Sequence, residues 1–243
     1  MMEDVSDYVL AEFLQACHDA GARGLMRCSS GNISRRLDDA RMLATSSRSW
    51  AENLSAEDIC VCRIADGAIL DGPKPTAEIG FHAGILRTRH DIDVVMHFQT
   101  PCATALACRE TDNIDYFVIP EIPFYIGHVA RVPYLLPGSK ELADAVTVAM
   151  QDHDMVVIRN HGMVTVATDF AHAIQNAEFF ELACEVITRG GNTPKSISHL
   201  EASSLGTKKA SMAVSRWHHP RKRWSTSCIS VRQSRDCLRL CRN

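Results

Sequence analysis

A short apolar run that ends in two polar residues limits most strongly how this chain can fold. Residues 94–99 read Val-Val-Met-His-Phe-Gln, a pattern typical of a buried β-strand. Side chains two residues apart on a strand point the same way, so His97 and Gln99 should emerge side by side where this strand ends. The pattern therefore predicts that an imidazole nitrogen and an amide oxygen face the same space.

Polar side chains from two other parts of the chain could meet this pair. Glu78 follows a proline-interrupted loop and lies in a predicted helix over residues 77–90, for which Thr76 is a candidate N-cap. His161 comes shortly after a second apolar strand, residues 155–158. We predict that four side chains gather around one divalent metal ion: Glu78, His97, Gln99 and His161.

Simpler interpretations of the same residues stay open at this point. Taken singly, each histidine is better explained as a hydrogen-bonded polar residue than as a metal ligand. His82 lies four residues after Glu78 on one helix face, and this spacing alone favours a solvated Glu–His pair. Only the joint placement of the residues at strand and helix ends favours a metal site.

Hydrophobic periodicity predicts a chain of alternating helices and short strands. Helical spacing predicts amphipathic helices over residues 5–22, 140–151 and 170–189, and apolar runs predict strands at 59–64 and 164–166 as well as the two above. Between the first helix and the first strands lies Cys28-Ser-Ser-Gly-Asn-Ile-Ser34, whose small residues could cradle a phosphate. The Ser-Gly-Asn within it is more often a plain turn.

Length and composition indicate one ordinary globular domain. The 243 residues allow one sizeable core, and no apolar run approaches the roughly 18 residues that span a bilayer. The N-terminus lacks the pattern of a signal peptide, so we expect a cytoplasmic protein. Ten cysteines without a C-x-x-C motif are expected to be reduced thiols, with Cys60 and Cys62 on opposite faces of one strand.

The last part of the chain differs in charge from the rest. Residues 205–243 carry ten Lys or Arg and one acid, a net charge of +9, whereas residues 1–204 sum to −12. A basic segment with Trp217 and Trp224 could contact nucleic acid. The loss of apolar periodicity instead favours a disordered or non-native tail. We predict one domain over 1–204 and such a tail over 205–243, with no nucleic-acid or membrane partner.

Several motifs, in this order, resemble the class II aldolase/adducin family and in particular its L-fuculose-phosphate aldolases. The resemblance covers roughly residues 6–190. Each motif is modest alone, and the set in this order and spacing is fairly specific. The motifs are Gly31-Asn-Ile-Ser34, Pro75-Thr-Ala-Glu78 followed by His82, residues 89–97, and Asn160-His161-Gly162.

The resemblance implies a fold and an activity. The fold is a three-layer α/β/α domain with a mixed, largely antiparallel sheet between helices, assembled as a homotetramer with active sites at subunit contacts. The activity is metal-dependent aldol cleavage of a small ketose phosphate or related hydroxy-keto compound through a metal-stabilised enediolate, with zinc as the expected metal. Glu78 would bind the metal and act as acid and base. Tyr116 roughly matches a tyrosine that donates a proton from a neighbouring subunit.

The metal-binding motif departs from the family at one position. Gln99 stands where the family usually has its middle histidine, so a neutral oxygen replaces an imidazole nitrogen. Zinc favours nitrogen, sulfur and carboxylate oxygen. Weaker zinc binding, another divalent cation, or a water ligand would each follow.

The phosphate-binding segment departs as well. Arg48 stands where the family commonly has glycine, and could contact an anion bidentately or obstruct the phosphate position. The sequence therefore supports an aldolase-like site better than a phosphorylated substrate. The residues expected to bind the substrate or its phosphate are Gly31, Asn32, Ser47, Arg48 and Thr76.

Two other functions remain open within the resemblance. A sugar-phosphate 4-epimerase of the same superfamily usually carries aspartate at the position of Glu78, which argues against that activity. A non-catalytic, adducin-like binding domain has lost its metal ligands, whereas this chain keeps three of the four polar positions. The partner that we expect is a small sugar or sugar phosphate.

Overall fold

One mixed sheet organises the part of the chain that the computed structural model describes, residues 5–110, 113–191 and 196–205. Within these residues the sheet has eight strands in the spatial order β4-β3-β2-β1-β5-β8-β7-β6. Neighbouring strands are antiparallel except for the parallel pair β6 and β7. The strands are β1 (Asn32–Arg36), β2 (Arg41–Thr45), β3 (Ile59–Arg63), β4 (Ile69–Asp71), β5 (Val94–Phe98), β6 (Val129–Val132), β7 (Met155–Ile158) and β8 (Gly162–Ala167).

Helices cover both faces of this sheet. Side chains of α1, α3 and α5 share one hydrophobic cluster with one face, and those of α2 and α4 share a second cluster with the other. We call these the α1/α3/α5 face and the α2/α4 face. The predicted three-layer fold is confirmed. The helices are α1 (Asp7–Ala22), α2 (Ile79–Thr88), α3 (Pro101–Ala107), α4 (Lys140–Ala149), α5 (Phe170–Gly190) and the short α6 (His199–Ser204).

The central strand β5 distributes its side chains between the two faces. Val94, Met96 and Phe98 belong to the cluster on the α1/α3/α5 face, and Val95 belongs to the other cluster. Because side chains alternate along a strand, His97 lies on the same face as Val95. The buried strand predicted within residues 94–99 is confirmed as β5, and it presents His97 towards α2.

Three of the predicted helices begin directly after a residue whose side chain caps the helix N-terminus. Ser6 accepts a hydrogen bond from the backbone N–H of Val9, Ser139 does so from Leu142, and Asp169 from His172. Such caps satisfy backbone donors that the first helical turn leaves unpaired. The helices predicted over 5–22, 140–151 and 170–189 are confirmed to within two residues.

The predicted N-cap residue of α2, Thr76, is wrong. The helix begins at Ile79 with Glu78 at its N-cap position, whereas Thr76 accepts the Glu78 N–H through Oγ1 at 3.3 Å. Residues just before it are extended, because Pro75 pairs with Ser46 and the Thr76 N–H donates to the Thr45 carbonyl at 3.0 Å. This pairing keeps residues 75–76 out of the helix.

Two further expectations need correction. Residues 32–36 form strand β1, which the sequence did not predict because Asn-Ile-Ser-Arg-Arg contains one apolar residue. Cys60 and Cys62 lie on the same face, with Sγ atoms 3.8 Å apart, since residues two apart on a strand point the same way. The described cysteines are all free thiols.

The predicted basic tail lies outside the described residues from 206 onwards. The prediction made from its tryptophans and arginines therefore stays a prediction. Within the described residues, none of the helices combines the length and apolar character needed to cross a membrane.

Candidate metal centre

Three elements bring the predicted ligands to one end of the sheet. Glu78 stands at the N-terminus of α2, His97 near the end of β5, and His161 in the turn between β7 and β8. Strand β8 pairs with both β5 and β7, and His97 is opposite Val164 in that register. This pairing carries the turn with His161 to the end of β5.

The side chains of these residues converge. One ligand atom from each of Glu78, His97 and His161 lies within 4.8 Å of the other two. Glu78 Oε2 is 3.4 Å from His97 Nε2, and Glu78 Oε1 is 3.2 Å from His161 Nε2. All three side chains are at least nine-tenths buried. The predicted convergence of these three residues is therefore observed.

A backbone contact orients His97. Its Nδ1 lies 2.9 Å from the Met163 carbonyl oxygen, which can only accept, so Nδ1 carries the proton and donates. The lone pair of the neutral ring is then on Nε2, the atom that faces Glu78. A hydrogen bond from the second ring nitrogen is the usual way in which proteins fix a metal-binding histidine.

A chain of hydrogen bonds orients Glu78. Asn32 Nδ2 donates to Glu78 Oε2 at 2.9 Å, and Asn32 Oδ1 accepts from His82 Nε2 at 2.6 Å. The other ring nitrogen of His82 accepts from Ser34 Oγ at 2.7 Å. The expected solvated Glu78–His82 pair is wrong, because α2 packs on the sheet and buries His82 completely.

The polar atoms left over at this site fit a cation. Glu78 Oε1 and His161 Nδ1 are buried and have no hydrogen-bond partner. A buried carboxylate oxygen without a partner is costly, and a cation among these three residues would compensate for it. One carboxylate and two imidazoles are a donor set that suits zinc and related divalent ions.

The electrostatic environment favours the protonation states that bind a cation. Burial by itself raises the pKa of Glu78, but the imidazole of His97, the Asn32 amide and then His161 and His82 outweigh it, so the pKa lies below its ordinary value. Burial and the nearby His97 lower the pKa of His161, with Glu78 opposing them. An anionic glutamate and a neutral histidine are the states in which these groups bind metal.

Complete burial of His82 predicts an acid-sensitive fold. Burial lowers the pKa of His82 from 6.5 to about 3. The unfolded chain binds a proton there below pH 6.5 and the folded chain does not, so stability falls as pH decreases from 6.5 towards 3. Replacing His82 by glutamine keeps one donor and one acceptor but does not titrate. The free energy of unfolding, measured with urea in metal-free buffer, should fall between pH 7 and pH 5 in the wild type. In the variant this fall should be smaller by about 2 kcal/mol. Equal losses would contradict the assignment.

Gln99 lies beside this cluster. A Cβ atom on Gly162 would come within 2.8 Å of both Gln99 Cγ and His97 Cε1, so the two side chains approach this glycine closely. Gln99 is half-buried, and its side-chain amide makes no hydrogen bond to another described residue. Its place next to His97 and the turn of His161 agrees with the prediction, and coordination by its oxygen stays a prediction.

The residues predicted to bind the substrate lie in segments that border the site. Gly31 directly precedes Asn32 and has φ +80°, and a Cβ there would come within 2.8 Å of the His97 carbonyl oxygen. The Ser47 N–H donates to the Lys74 carbonyl, which brings the turn at 45–48 beside residues 74–76. The Asn32 side chain, by contrast, is already engaged at both ends.

Arg48 has an unusual conformation in this turn. Its φ is +64°, in the left-handed region that glycine adopts easily and arginine rarely does. The side chain is exposed and forms no ion pair or hydrogen bond with another described residue. The backbone thus keeps a conformation suited to glycine, and the guanidinium is free to contact an anion.

Tyr116 lies on the opposite face of the sheet from His97. Its ring packs 4.9 Å from that of Phe180 in the α1/α3/α5 cluster, and its hydroxyl accepts from Arg131 Nη1 at 3.3 Å. Burial raises the pKa of Tyr116 to about 12. Within one chain Tyr116 is therefore not part of the cluster, and its predicted role requires a second copy.

Sequence reasoning assigned Asn32 to the substrate and did not predict that Asn32 and Ser34 support Glu78. Asn32 and Ser34 alternate along β1 and share the face of His97, since Asn32 is opposite His97 and Ser34 is opposite Val95. This alternation was the available signal, but it has meaning only once β1 is recognised as a strand.

Comparisons with known proteins match most of this chain to one family model and to several named relatives. The family model described as "Class II Aldolase and Adducin N-terminal domain" matches residues 11–188. The 3-oxo-tetronate 4-phosphate decarboxylase of Escherichia coli O6:H1 is 31% identical over 186 residues, which cover 75% of this chain and 86% of that protein. The L-fuculose phosphate aldolase of Methanococcus maripaludis is 32% identical over 172 residues, which cover 71% of this chain and 91% of that protein.

Solved structures show the same fold. One is the crystal structure of YgbL from Escherichia coli, described by the alternatives aldolase, epimerase and decarboxylase. It matches with a TM-score of 0.76 and 27% identity, and the match covers 82% of this chain and 97% of YgbL. A second is the structure of an L-fuculose 1-phosphate aldolase, with a TM-score of 0.71 and 25% identity. The match covers 83% of this chain and 95% of the aldolase chain.

Proposed function

Because the chain belongs to the class II aldolase and adducin family, we propose that it is a metal-dependent lyase that cleaves a carbon–carbon bond in a small sugar or sugar phosphate. The observation that carries the proposal is the convergence of Glu78, His97 and His161 within 4.8 Å, with Glu78 Oε1 buried and without a hydrogen-bond partner. The two relatives above are named for phosphorylated compounds, which supports a sugar phosphate.

The proposed metal site has four members. Glu78, His97 and His161 would hold a divalent cation, and Gln99 would add an amide oxygen. A bound cation would act as a Lewis acid that stabilises negative charge on a substrate oxygen. We propose zinc, or a cation that tolerates oxygen ligands better because of Gln99.

Glu78 is the proposed base. Its carboxylate is ionised at neutral pH, because the groups around it lower its pKa despite burial. Asn32 holds Oε2, and Oε1, when it is not bound to the cation, would take the proton of a substrate hydroxyl. As that proton leaves, the hydroxyl carbon becomes a carbonyl and the carbon–carbon bond breaks. The other carbon keeps the electron pair and takes a proton back from Glu78.

The remaining assignments concern substrate binding and assembly. The bordering segments with Gly31, Ser47, Arg48 and Thr76 would bind the phosphate or another anionic end of the substrate, with Asn32 contributing only through its backbone. Tyr116 of a second copy would donate a proton in a homotetramer, as the resemblance implies, and we propose a cytoplasmic location.

Decarboxylation is the second candidate reaction, and the decarboxylase relative at 31% identity favours it. In that reaction carbon dioxide leaves and no hydroxyl proton is removed, so Glu78 would first take up a proton from solvent water and then deliver it to the carbon left behind. Both reactions leave an electron pair on carbon next to a carbonyl and need the same stabilisation of charge.

The test is a panel of substrates with zinc, manganese or cobalt added to metal-free protein. Ketose phosphates, unphosphorylated ketoses and phosphorylated 3-oxo acids are supplied, and released aldehyde and carbon dioxide are measured separately. Metal-dependent aldehyde release supports the aldolase, and carbon dioxide release supports the decarboxylase. A changed sugar configuration without cleavage would indicate an epimerase. Protein that binds none of these metals would contradict the lyase proposal and leave a binding domain.

A further inference from the structure

Four buried polar side chains form a ladder between strand β1 and helix α2. Glu78, at the N-cap position of α2, is four residues from His82, and Asn32 is two residues from Ser34 on β1. Four residues advance a helix by about 6 Å and two advance a strand by about 6.8 Å, so the two pairs can interleave. All four residues are at least nine-tenths buried.

The hydrogen bonds of this ladder run in one direction. The Glu78 carboxylate can only accept, so the Asn32 atom 2.9 Å from its Oε2 is Nδ2. Asn32 Oδ1 then lies 2.6 Å from His82 Nε2, which must carry the ring proton. The lone pair of the neutral ring at Nδ1 accepts from Ser34 Oγ at 2.7 Å. Every hydrogen bond in the ladder is thus donated in the direction of Glu78.

This direction excludes the alternative orientation of the Asn32 amide. Turning the amide by 180° would place Oδ1 against Glu78 Oε2, where two acceptors meet. It would also place Nδ2 against His82 Nε2, where two donors meet. Both contacts would leave buried polar groups unpaired, which is costly. His82 therefore decides which end of Asn32 meets Glu78, although it is not one of the three residues whose ligand atoms converge.

We propose that His82 is a positioning residue of the metal centre: its Nε2–H fixes the amide of Asn32, and Asn32 in turn holds Glu78 in the orientation that binds a cation. The role rests on the proposed function, because this orientation matters only if Glu78 binds a cation. With Asn32 on Oε2, the oxygen without a hydrogen bond is Oε1, 3.2 Å from His161 Nε2. Without the donor at position 82, the Asn32 amide can turn, the carboxylate loses its fixed orientation, and affinity for the cation falls.

Two amide variants of His82 separate this role from a purely structural one. The side-chain nitrogen of glutamine can take the place of Nε2 and donate to Asn32, whereas the shorter asparagine reaches only as far as Nδ1, beside Ser34. His82→Gln should keep the affinity for Co²⁺ within about threefold of the wild type, and His82→Asn should weaken it by about tenfold or more. The visible absorption spectrum of bound Co²⁺, which reports on coordination geometry, should change in His82→Asn alone.

Leu86→Ala is the control for lost stability. It removes a buried side chain one turn further along α2 and leaves the ladder intact. This variant should unfold at lower urea concentration, with the Co²⁺ affinity and spectrum of the wild type. Three results would overturn the proposal: wild-type Co²⁺ affinity in His82→Asn, equal losses in His82→Gln and His82→Asn, or the same loss in Leu86→Ala.

A measurement without metal tests the ladder itself. In metal-free protein with ¹⁵N-labelled histidine, nuclear magnetic resonance should show the proton of His82 on Nε2 and none on Nδ1. The His82 signals are those missing from the spectrum of His82→Gln. The opposite tautomer would overturn the role of His82 and leave the lyase proposal untouched. Wild-type protein that binds no Co²⁺, zinc or manganese would instead contradict the lyase proposal, and the role of His82 would fall with it.

Discussion

Replacing Glu78 by glutamine is expected to reduce turnover by about 10²–10⁴-fold, the usual contribution of a positioned acid or base. The side chain keeps its shape and can still accept the hydrogen bond of Asn32, which now ends on Oε2 at 2.9 Å. It can no longer take a proton from the substrate, and it offers a cation a neutral oxygen in place of a charged one. Metal affinity should therefore fall together with turnover.

Two measurements separate this effect from a loss of structure. Metal content after dialysis reports on the cation site, and thermal unfolding in metal-free buffer reports on the fold. The melting temperature should be unchanged or higher, because the variant removes a buried charge. Glu57→Gln changes an exposed acid in a surface turn and should leave turnover, metal content and stability as they are. Turnover of a folded Glu78→Gln protein within about threefold of the wild type would show that Glu78 is not the base.

The sequence predicted the elements whose apolar pattern has a clear period. Strand β5 is a clear apolar run, the helices α1, α4 and α5 combine an apolar stripe with capping residues, and all four elements lie close to their expected bounds. The ligands Glu78, His97 and His161 stand at ends of such elements, so their convergence could be predicted once motif order indicated the fold. The prediction of this metal site therefore depended on the order of the motifs along the chain and not on any single spacing.

What could not be predicted depends on side-chain contacts between distant segments. Strand β1 lacks a periodic apolar pattern, because Asn32 and Ser34 face the site instead of the core. The hydrogen bonds from Ser34 through His82 and Asn32 to Glu78 join β1 to α2 across about fifty residues of chain. A spacing of four residues on a helix does not distinguish a solvated pair from two buried groups that share a partner.

Replacing Gln99 by histidine is expected to shift metal preference towards zinc. The Cγ atom of histidine can occupy the position of Gln99 Cγ beside Gly162, which already lies close to His97. An imidazole nitrogen then replaces an amide oxygen, and zinc gains more from this change than manganese does. We expect zinc affinity to rise by at least about tenfold, or about 1.4 kcal/mol, with a smaller change for manganese.

Competition with a chromophoric chelator measures zinc, and electron paramagnetic resonance measures free manganese. Gln15→His adds a histidine on the exposed face of α1 and should leave both affinities unchanged. Gln99→Leu decides whether the amide oxygen coordinates at all: loss of affinity for both ions shows that it does, and unchanged affinity shows that a three-residue site suffices. If Gln99→His does not favour zinc over manganese, position 99 lies out of reach of the cation. The departure from the family motif would then have no consequence for the choice of metal.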